Sequence, residues 1–200
     1  MSKRWVKERK RDGYYRQAKK AGFRSRSAYK LKQINDRYQV ISSRDKVIDL
    51  GAAPGGWSQV AKEIVGEKGF VVGVDIQSIE PIEGVKFLKG DLTKVETLEN
   101  IRSIVTKVDV IISDMSPNIT GHYSMDHARS IDLAENALEI AKNFLMENGN
   151  FVVKVFQGDL FDDYLKEIKS LFRFTKVHSP KASRKSSSEV YIIGKGFLGR

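Results

Sequence analysis

The chain has 200 residues, of which 40% are hydrophobic, and this size suits one compact domain with a single core and a short appendage. It contains no cysteine, which excludes disulfides, thiolate metal sites and any mechanism that forms a cysteine adduct. The three histidines lack zinc-site spacing, and no segment has a signal-peptide core or the roughly 18 apolar residues of a membrane span, so we expect a cytoplasmic protein with no metal and no membrane partner.

The net charge of +10 originates in the N-terminal part of the chain. Residues 1–30 carry 12 Lys or Arg side chains against two acids, whereas residues 31–200 carry 23 basic and 23 acidic side chains. Aromatic residues on which bases can stack are interleaved with this charge: Trp5, Tyr14, Tyr15, Phe23 and Tyr29. We predict a basic RNA-binding arm over residues 1–25, followed by one domain over residues 26–200. The alternative is a solvated basic tail, but a second basic cluster favours RNA: Lys181, Arg184 and Lys185.

Beyond the arm, the hydrophobic pattern alternates between helical and strand periodicity. A helix is predicted to begin after Ser25 or Ser27 and to end near Val40. Strands are predicted over 46–50, 70–75, 85–91, 108–114 and 150–156, and helices over 57–65, 97–105, 125–148 and 159–172. Two final strands, 173–179 and 189–195, have no helical pattern between them and predict an antiparallel hairpin. Continuous apolar strands alternating with helices predict an α/β fold whose mostly parallel sheet is covered on both faces.

In such sheets ligands bind at the carboxyl ends of the strands. The first strand leads into Gly51-Ala-Ala-Pro-Gly-Gly-Trp57, a turn of small residues that lets a ligand approach the backbone and a helix N-terminus, although many such turns bind nothing. Asp75 ends the second strand, where it can accept the hydroxyls of an adenosine ribose, and Asp91 ends the third, within reach of an adenine amino group. Each could instead cap a turn, but acids in register after three strands, Asp49 included, favour a nucleoside.

Asp114 ends the fourth strand in Asp-Met-Ser-Pro-Asn, which lacks the Asn/Asp-Pro-Pro-aromatic run of amino-group methyltransferases. With no cysteine for C5-pyrimidine chemistry, transfer to an oxygen or a lysine–carboxylate relay remains. Lys154 lies in the middle of the apolar strand 150–156, where a lysine is costly unless it is paired with an anion. Asp114 could be that anion; the alternative is a charge that protects an edge strand.

Five motifs in this order resemble the FtsJ/RrmJ (RlmE-type) 2′-O-ribose methyltransferase family: residues 24–31, 49–57, 114–118, 153–156 and 183–191. The resemblance covers roughly residues 20–195. It implies a Rossmann-like fold that binds S-adenosylmethionine (SAM), with a seven-stranded, mostly parallel sheet and a C-terminal antiparallel hairpin. It implies a catalytic tetrad of Lys30, Asp114, Lys154 and Glu189, and cofactor contacts from Gly51, Gly55, Trp57, Asp75, Asp91 and Asp114.

The function that the resemblance implies is methyl transfer from SAM to a ribose 2′-hydroxyl. The expected substrate is a uridine of large-subunit (23S) ribosomal RNA within the ribosomal subunit, and the expected state is a monomer; transfer RNA and an RNA cap are alternatives. Lys154 would accept the hydroxyl proton or orient the oxygen, Asp114 and Glu189 would hold the lysines, and Lys30 would bind the oxygen or a phosphate. A non-catalytic RNA-binding protein would leave Lys154 unused, and an NAD-dependent oxidoreductase would not explain the basic arm.

Overall fold

The predicted strands join in one seven-stranded sheet in the computed structural model, which describes residues 12–184 and 187–199. The strands are β1 Lys46–Leu50, β2 Phe70–Asp75, β3 Val85–Lys89, β4 Val108–Ser113, β5 Leu145–Phe156, β6 Phe172–His178 and β7 Glu189–Phe197. The helices are α1 Gly13–Lys20, α2 Ala28–Tyr38, α3 Gly56–Val65, α4 Val95–Ile104, α5 Tyr123–Phe144 and α6 Phe161–Leu171.

The sheet has the order β3-β2-β1-β4-β5-β7-β6. The pairs from β3 across to β5 are parallel, and β7 lies antiparallel between β5 and β6. The chain runs outward in one direction from β1 and in the other from β4, so the sheet has a switch point between these strands, where ligands of open α/β sheets bind. The predicted α/β fold and terminal hairpin are confirmed.

Apolar side chains cover both faces of the sheet, because neighbouring residues of a strand point to opposite faces. On β1, Val47 belongs to the core cluster that includes residues of α2 and α3, whereas Ile48 belongs to the cluster that includes residues of α4, α5 and α6. On β4, Val110 and Ile111 divide in the same way. Each of these side chains is fully buried, which explains why the strands are continuous apolar runs in the sequence.

The largest difference from the predicted bounds lies between α5 and β5: α5 ends at Phe144 rather than at residue 148, and β5 begins at Leu145 rather than at residue 150. The other predicted bounds differ from the structure by up to two residues, and the sequence pattern did not predict α1. Leu145 pairs with Val108 of the neighbouring strand. The Lys107 ammonium group donates to the carbonyl oxygens of Asn143 (3.2 Å) and Leu145 (3.3 Å). A contact with another strand therefore ends the helix while its local pattern would continue.

The described part of the predicted arm, residues 12–25, packs against the domain. Asp12 caps α1 by accepting the backbone N–H of Tyr15 (3.1 Å) and forms an ion pair with Arg26. The rings of Tyr14 and Tyr29 lie 5.6 Å apart. Residues 1–11 of the arm, and Lys185 of the second basic cluster, lie outside the described residues. Within the described ranges, no helix is long and apolar enough to cross a membrane, and no group of three metal-ligating side chains forms.

Candidate active site

A first cavity, the acid-lined cavity, opens at the carboxyl ends of β1, β2 and β4. Its volume is about 320 Å³, within the range of small-molecule sites. Four residues predicted to bind the cofactor line it: Gly51, Asp75, Asp91 and Asp114. The cavity is therefore located where the strand order of the sheet reverses. Asp49, the acid of the first strand, is fully buried and does not line it.

Gly51 and Asp75 shape the turn at the bottom of this cavity. Gly51 has a φ of +71°, and a Cβ atom there would lie 2.3 Å from the Cγ atom of Met115, so only glycine fits without a shift. The Asp75 carboxylate accepts the backbone N–H groups of Ala53 (2.9 Å) and Gln77 (2.8 Å). These hydrogen bonds fix the carboxylate at the cavity wall. Each carboxylate oxygen accepts one of them and can accept a further hydrogen bond from a ligand.

Asp91 shows one of the two roles considered for it, the capping of a turn. Its Oδ1 atom accepts the backbone N–H (3.0 Å) and the hydroxyl (2.8 Å) of Thr93, so it does cap the turn after β3. These hydrogen bonds hold the pKa of Asp91 below its ordinary value. Asp91 also lines the acid-lined cavity, and its contact with a cofactor stays a prediction.

Gly55 and Trp57 are not among the residues that line this cavity. Gly55, with a φ of +108°, lies against the Arg24 side chain. Trp57 is buried; its indole N–H donates to the carbonyl oxygen of Ser27 (2.8 Å), and its ring centroid lies 5.6 Å from that of Tyr191. Trp57 thus joins α3 to α2, and the contact of these two residues with a cofactor stays a prediction.

Lys154 is buried at 6% exposure on β5, an interior strand between β4 and β7. The interpretation as a protective edge charge is therefore wrong. The Lys154 ammonium group donates to the backbone oxygen (2.6 Å) and to Oδ1 (3.1 Å) of Asp114. The expected pairing with Asp114 is confirmed, and it supplies the anion that a buried lysine requires.

Tyr191 is a member of this cluster that the sequence analysis did not identify. Its hydroxyl donates to Oδ1 of Asp114 at 2.6 Å. Tyr191 is the cross-strand partner of Lys154 and lies two residues after Glu189 on β7, so it points to the same face as Glu189. That spacing within the motif at residues 183–191 is the signal that would have found it.

Lys30 and Glu189 complete the cluster from opposite ends of the chain. Lys30, on α2, has its Nζ atom 2.5 Å from Oε1 of Glu189 and 5.6 Å from the centre of the Tyr191 ring. Both side chains are nearly buried. The structure therefore brings together all four residues that the resemblance implies as catalytic, with Tyr191 between the two ion pairs.

The two carboxylates of the cluster are held in the ionised form. Burial by itself would raise the pKa of Asp114, but the charges of Lys154 and Lys30 and the hydroxyl of Tyr191 outweigh it, and the pKa lies below its ordinary value. Burial is likewise outweighed at Glu189, whose pKa is lowered by Lys30. Two lysines and two carboxylates in one buried cluster are a frequent mark of functional sites.

A second cavity, the basic cavity, has a volume of about 540 Å³ and adjoins the first, because Ser116 lines both. Its lining includes Arg26, Lys30, Arg184 and Glu189. Lys30 and Glu189 thus face the basic cavity while Asp114 faces the acid-lined cavity. The cluster lies where two ligands in neighbouring cavities would meet.

Sequence reasoning also missed the loop after β4 that borders the basic cavity. Asp126, in the first turn of α5, accepts the backbone N–H (2.9 Å) and hydroxyl (2.8 Å) of Thr120 and the N–H of Gly121 (3.0 Å). These bonds lower the pKa of Asp126 below its ordinary value. An acid in the first helical turn is a recognisable capping signal, and here it orders the loop beside the cavity.

The sheet order, the antiparallel strand beside β5 and the acid-lined cavity at the switch point define a Rossmann-like α/β fold of the methyltransferase type. The sequence profile of the FtsJ-like methyltransferases matches residues 23–197. The ribosomal RNA large subunit methyltransferase E of Methanocaldococcus jannaschii is 53% identical, over 99% of this chain and 83% of its own length. The protein of that name from Methanothrix thermoacetophila is 56% identical, over 94% and 73%. The chain belongs to the FtsJ-like methyltransferase family.

Solved structures agree with this assignment. A chain described as a ribosomal RNA methyltransferase from Plasmodium falciparum superposes with a TM-score of 0.80 at 26% identity, covering 89% of this chain and 100% of that chain. Aeropyrum pernix fibrillarin, solved with S-adenosyl-L-methionine bound, has a TM-score of 0.60 at 16% identity, covering 86% and 74%. The similarity to fibrillarin, at this low sequence identity, establishes the fold alone.

Proposed function

We propose that the protein transfers a methyl group from SAM to a ribose 2′-hydroxyl of large-subunit ribosomal RNA, with a uridine as the acceptor nucleoside. The observation that carries this proposal is the cluster of Lys30, Asp114, Lys154 and Glu189 between an acid-lined and a basic cavity. A sulfonium-bearing nucleoside suits the first cavity, and a polyanion suits the second.

The residues of the acid-lined cavity suit SAM. The carboxylates of Asp75 and Asp91 retain acceptor capacity for ribose hydroxyls and an amino group, and Ile76, 67% exposed, offers an apolar surface at the same wall. When bound, SAM supplies a methyl group that is already activated by a positively charged sulfonium. The chain therefore has to position the acceptor oxygen and manage one proton.

Lys154 would face the acceptor oxygen in one of two roles. As a neutral amine it would take the hydroxyl proton; as an ammonium group it would instead donate an N–H to the oxygen and so turn a lone pair toward the acid-lined cavity. Asp114, anchored by the Tyr191 hydroxyl, holds the Lys154 ammonium group in place through two contacts. Lys30, fixed by Glu189, would bind the same oxygen or the neighbouring phosphate, and Arg26 and Arg184 would neutralise phosphates along the basic cavity.

The choice of ribosomal RNA follows the relatives, which are named ribosomal RNA large subunit methyltransferases and align over nearly the whole chain. The basic segment at residues 1–30 supports an RNA substrate independently of them.

The test is to incubate the protein with methyl-labelled SAM and, separately, with ribosomal subunits, naked ribosomal RNA and transfer RNA. Nuclease digestion then maps the label. Label in an alkali-resistant dinucleotide from the large subunit supports the proposal, because a 2′-O-methyl group blocks alkaline cleavage. Label only in transfer RNA would overturn the substrate and keep the chemistry. An absence of label from all RNAs, with SAM bound, would favour a non-catalytic RNA-binding protein.

A further inference from the structure

Tyr123 exposes an aromatic ring that the core of the protein does not require. It is the first residue of α5, is 62% exposed and lines the basic cavity together with Lys30 and Glu189. A large exposed aromatic side chain loses favourable burial unless a ligand covers it. Its place beside the cluster makes it the feature of this surface that the proposed chemistry leaves unexplained.

The ring of Tyr123 is held in one orientation. Its hydroxyl donates to the carbonyl oxygen of Gln157 at 2.7 Å, and its ring stacks on that of His127, with centroids 6.4 Å apart and planes at 14°. His127 is itself fixed: its Nε2 accepts the backbone N–H of Leu160 (3.0 Å), which leaves Nδ1 to donate to the Phe156 oxygen (3.0 Å). The outer face of Tyr123 is therefore a rigid, pre-ordered surface.

The walls around this ring have the chemistry of a nucleotide site. Ile119, 63% exposed, adds a second apolar contact in the cavity, while Arg26 and Arg184 supply guanidinium groups suited to phosphate. Proteins that bind unpaired RNA combine such cationic grooves with aromatic rings on which bases stack. Neither feature alone identifies RNA, but an aromatic ring and arginines within one cavity match a base and its phosphates.

We propose that Tyr123 is the platform on which a base of the substrate RNA stacks, within one nucleotide of the acceptor ribose. This inference rests on the proposed function, because it takes the acceptor ribose to lie at the neighbouring lysines. Stacking on a fixed ring holds the nucleotide out of its helix and aligns the ribose with Lys154. Tyr123 is thus a substrate-positioning residue of the basic cavity.

The first experiment compares Tyr123→Ala, Tyr123→Phe and Phe174→Ala with the unmodified protein. Phe174 is a matched control, since it is 46% exposed on β6 at the far edge of the sheet. We expect Tyr123→Ala to weaken RNA affinity at least about fivefold, as loss of base stacking does. Tyr123→Phe keeps the ring and should stay within about threefold, and Phe174→Ala should not change affinity. SAM affinity and the melting temperature of each variant report any loss of folding or of cofactor binding.

The second experiment separates stacking from a structural role of Tyr123. Once the labelled nucleotide is mapped, short substrate RNAs are synthesised with an abasic residue at that nucleotide or at either of its neighbours. The affinity of each RNA is measured for the unmodified protein and for Tyr123→Ala. At one of these positions the abasic change should remove the difference between the unmodified protein and Tyr123→Ala, because the stacking partner is gone. Equal affinities of the two proteins for the unmodified RNA, or a difference that persists with every abasic RNA, would overturn the inference. Failure of the unmodified protein to label any RNA would instead overturn the proposed function.

Discussion

At the scale of single residues, the site depends on charges that are buried in pairs. Lys154 and Asp114 come from the ends of adjacent strands, and Lys30 and Glu189 come from α2 and β7. Each charge is compensated by its partner, so removing one member leaves the other buried and uncompensated. Substitutions in this cluster must therefore be compared with controls that report folding separately from turnover.

Lys154 is expected to be essential for turnover and dispensable for SAM binding. Lys154→Ala should lower the single-turnover rate at least about 100-fold, because it removes either the proton acceptor or the orienting group. Lys154→Arg distinguishes the two roles, since a guanidinium can orient an oxygen but cannot accept a proton near neutral pH. Near-normal turnover of Lys154→Ala, with label still in the ribose, would contradict the assignment.

Tyr191→Phe should lower turnover about tenfold without changing SAM affinity, because it removes the hydroxyl that anchors Asp114. Tyr164→Phe is the matched control. Its hydroxyl also donates from a buried site, at 2.6 Å to the carbonyl oxygen of Ala134 on α5, away from the cluster. Both variants should lose similar stability in thermal unfolding, and only Tyr191→Phe should lose rate. Equal rate losses would mean that Tyr191 acts through stability alone.

At the scale of elements, α5 and β5 show how neighbours set a boundary. The apolar residues of α5 recur at helical spacing past Phe144, yet Leu145 pairs with Val108 and the helix ends. This early end lets β5 begin at Leu145. Its register with β4 then shifts between Val108 and Val110, and the strand continues through the sheet interior to Lys154. The placement of Lys154 thus depends on a pairing with a strand that is distant in sequence.

The packing of α5 on the sheet should contribute measurably to stability. Leu138 is 1% exposed within the core cluster on this face. Leu138→Ala should lower the free energy of unfolding by about 2–5 kcal/mol, the usual cost of a buried Leu→Ala cavity. Leu160→Ala, at a side chain that is 48% exposed, is the control and should change it by less than about 0.5 kcal/mol. Urea unfolding followed by circular dichroism measures both, and equal losses would refute the assignment of Leu138 to the core.

At the scale of the whole molecule, one buried acid should set the pH dependence of stability. Burial raises the pKa of Asp49, on β1, to about 7, even though the Ser58 hydroxyl donates to its carboxylate at 2.6 Å. Between pH 4 and pH 7 the unfolded chain releases this proton while the folded protein keeps it, so stability falls as the pH rises. The lowered pKa values of Asp114 and Glu189 act in the opposite direction, and only as the pH falls below about 4.

Asp49→Asn removes this titration. We expect the unmodified protein to lose up to about 4 kcal/mol of unfolding free energy between pH 4 and pH 7, from a shift of about three pKa units. The loss should be much smaller in Asp49→Asn, which keeps an acceptor for Ser58. Chemical unfolding at a series of pH values measures it. A parallel decline in both proteins would show that Asp49 is not the group responsible.

The sequence by itself determined the order of the elements from α2 onward, the sheet with its terminal hairpin, and the buried lysine with its need for an anion. These follow from hydrophobic periodicity and from the cost of burying a charge, which are read over a few neighbouring residues. The motifs also singled out Lys30 and Glu189 as members of the implied catalytic tetrad, although neither residue is unusual in its local sequence. The local sequence pattern does not predict the end of α5, because pairing with a distant strand decides where that helix ends.

Only the tertiary structure decided which side chains meet. It pairs Lys30 with Glu189 across nearly the whole chain, joins Tyr191 to Asp114, and turns Trp57 into the core beside Ser27. It also forms the basic cavity from α2, the loop after β4 and the start of β7. The physical reason is that a cavity and an ion pair are properties of surfaces brought together by folding, and contacts between distant segments leave no periodic trace in the sequence.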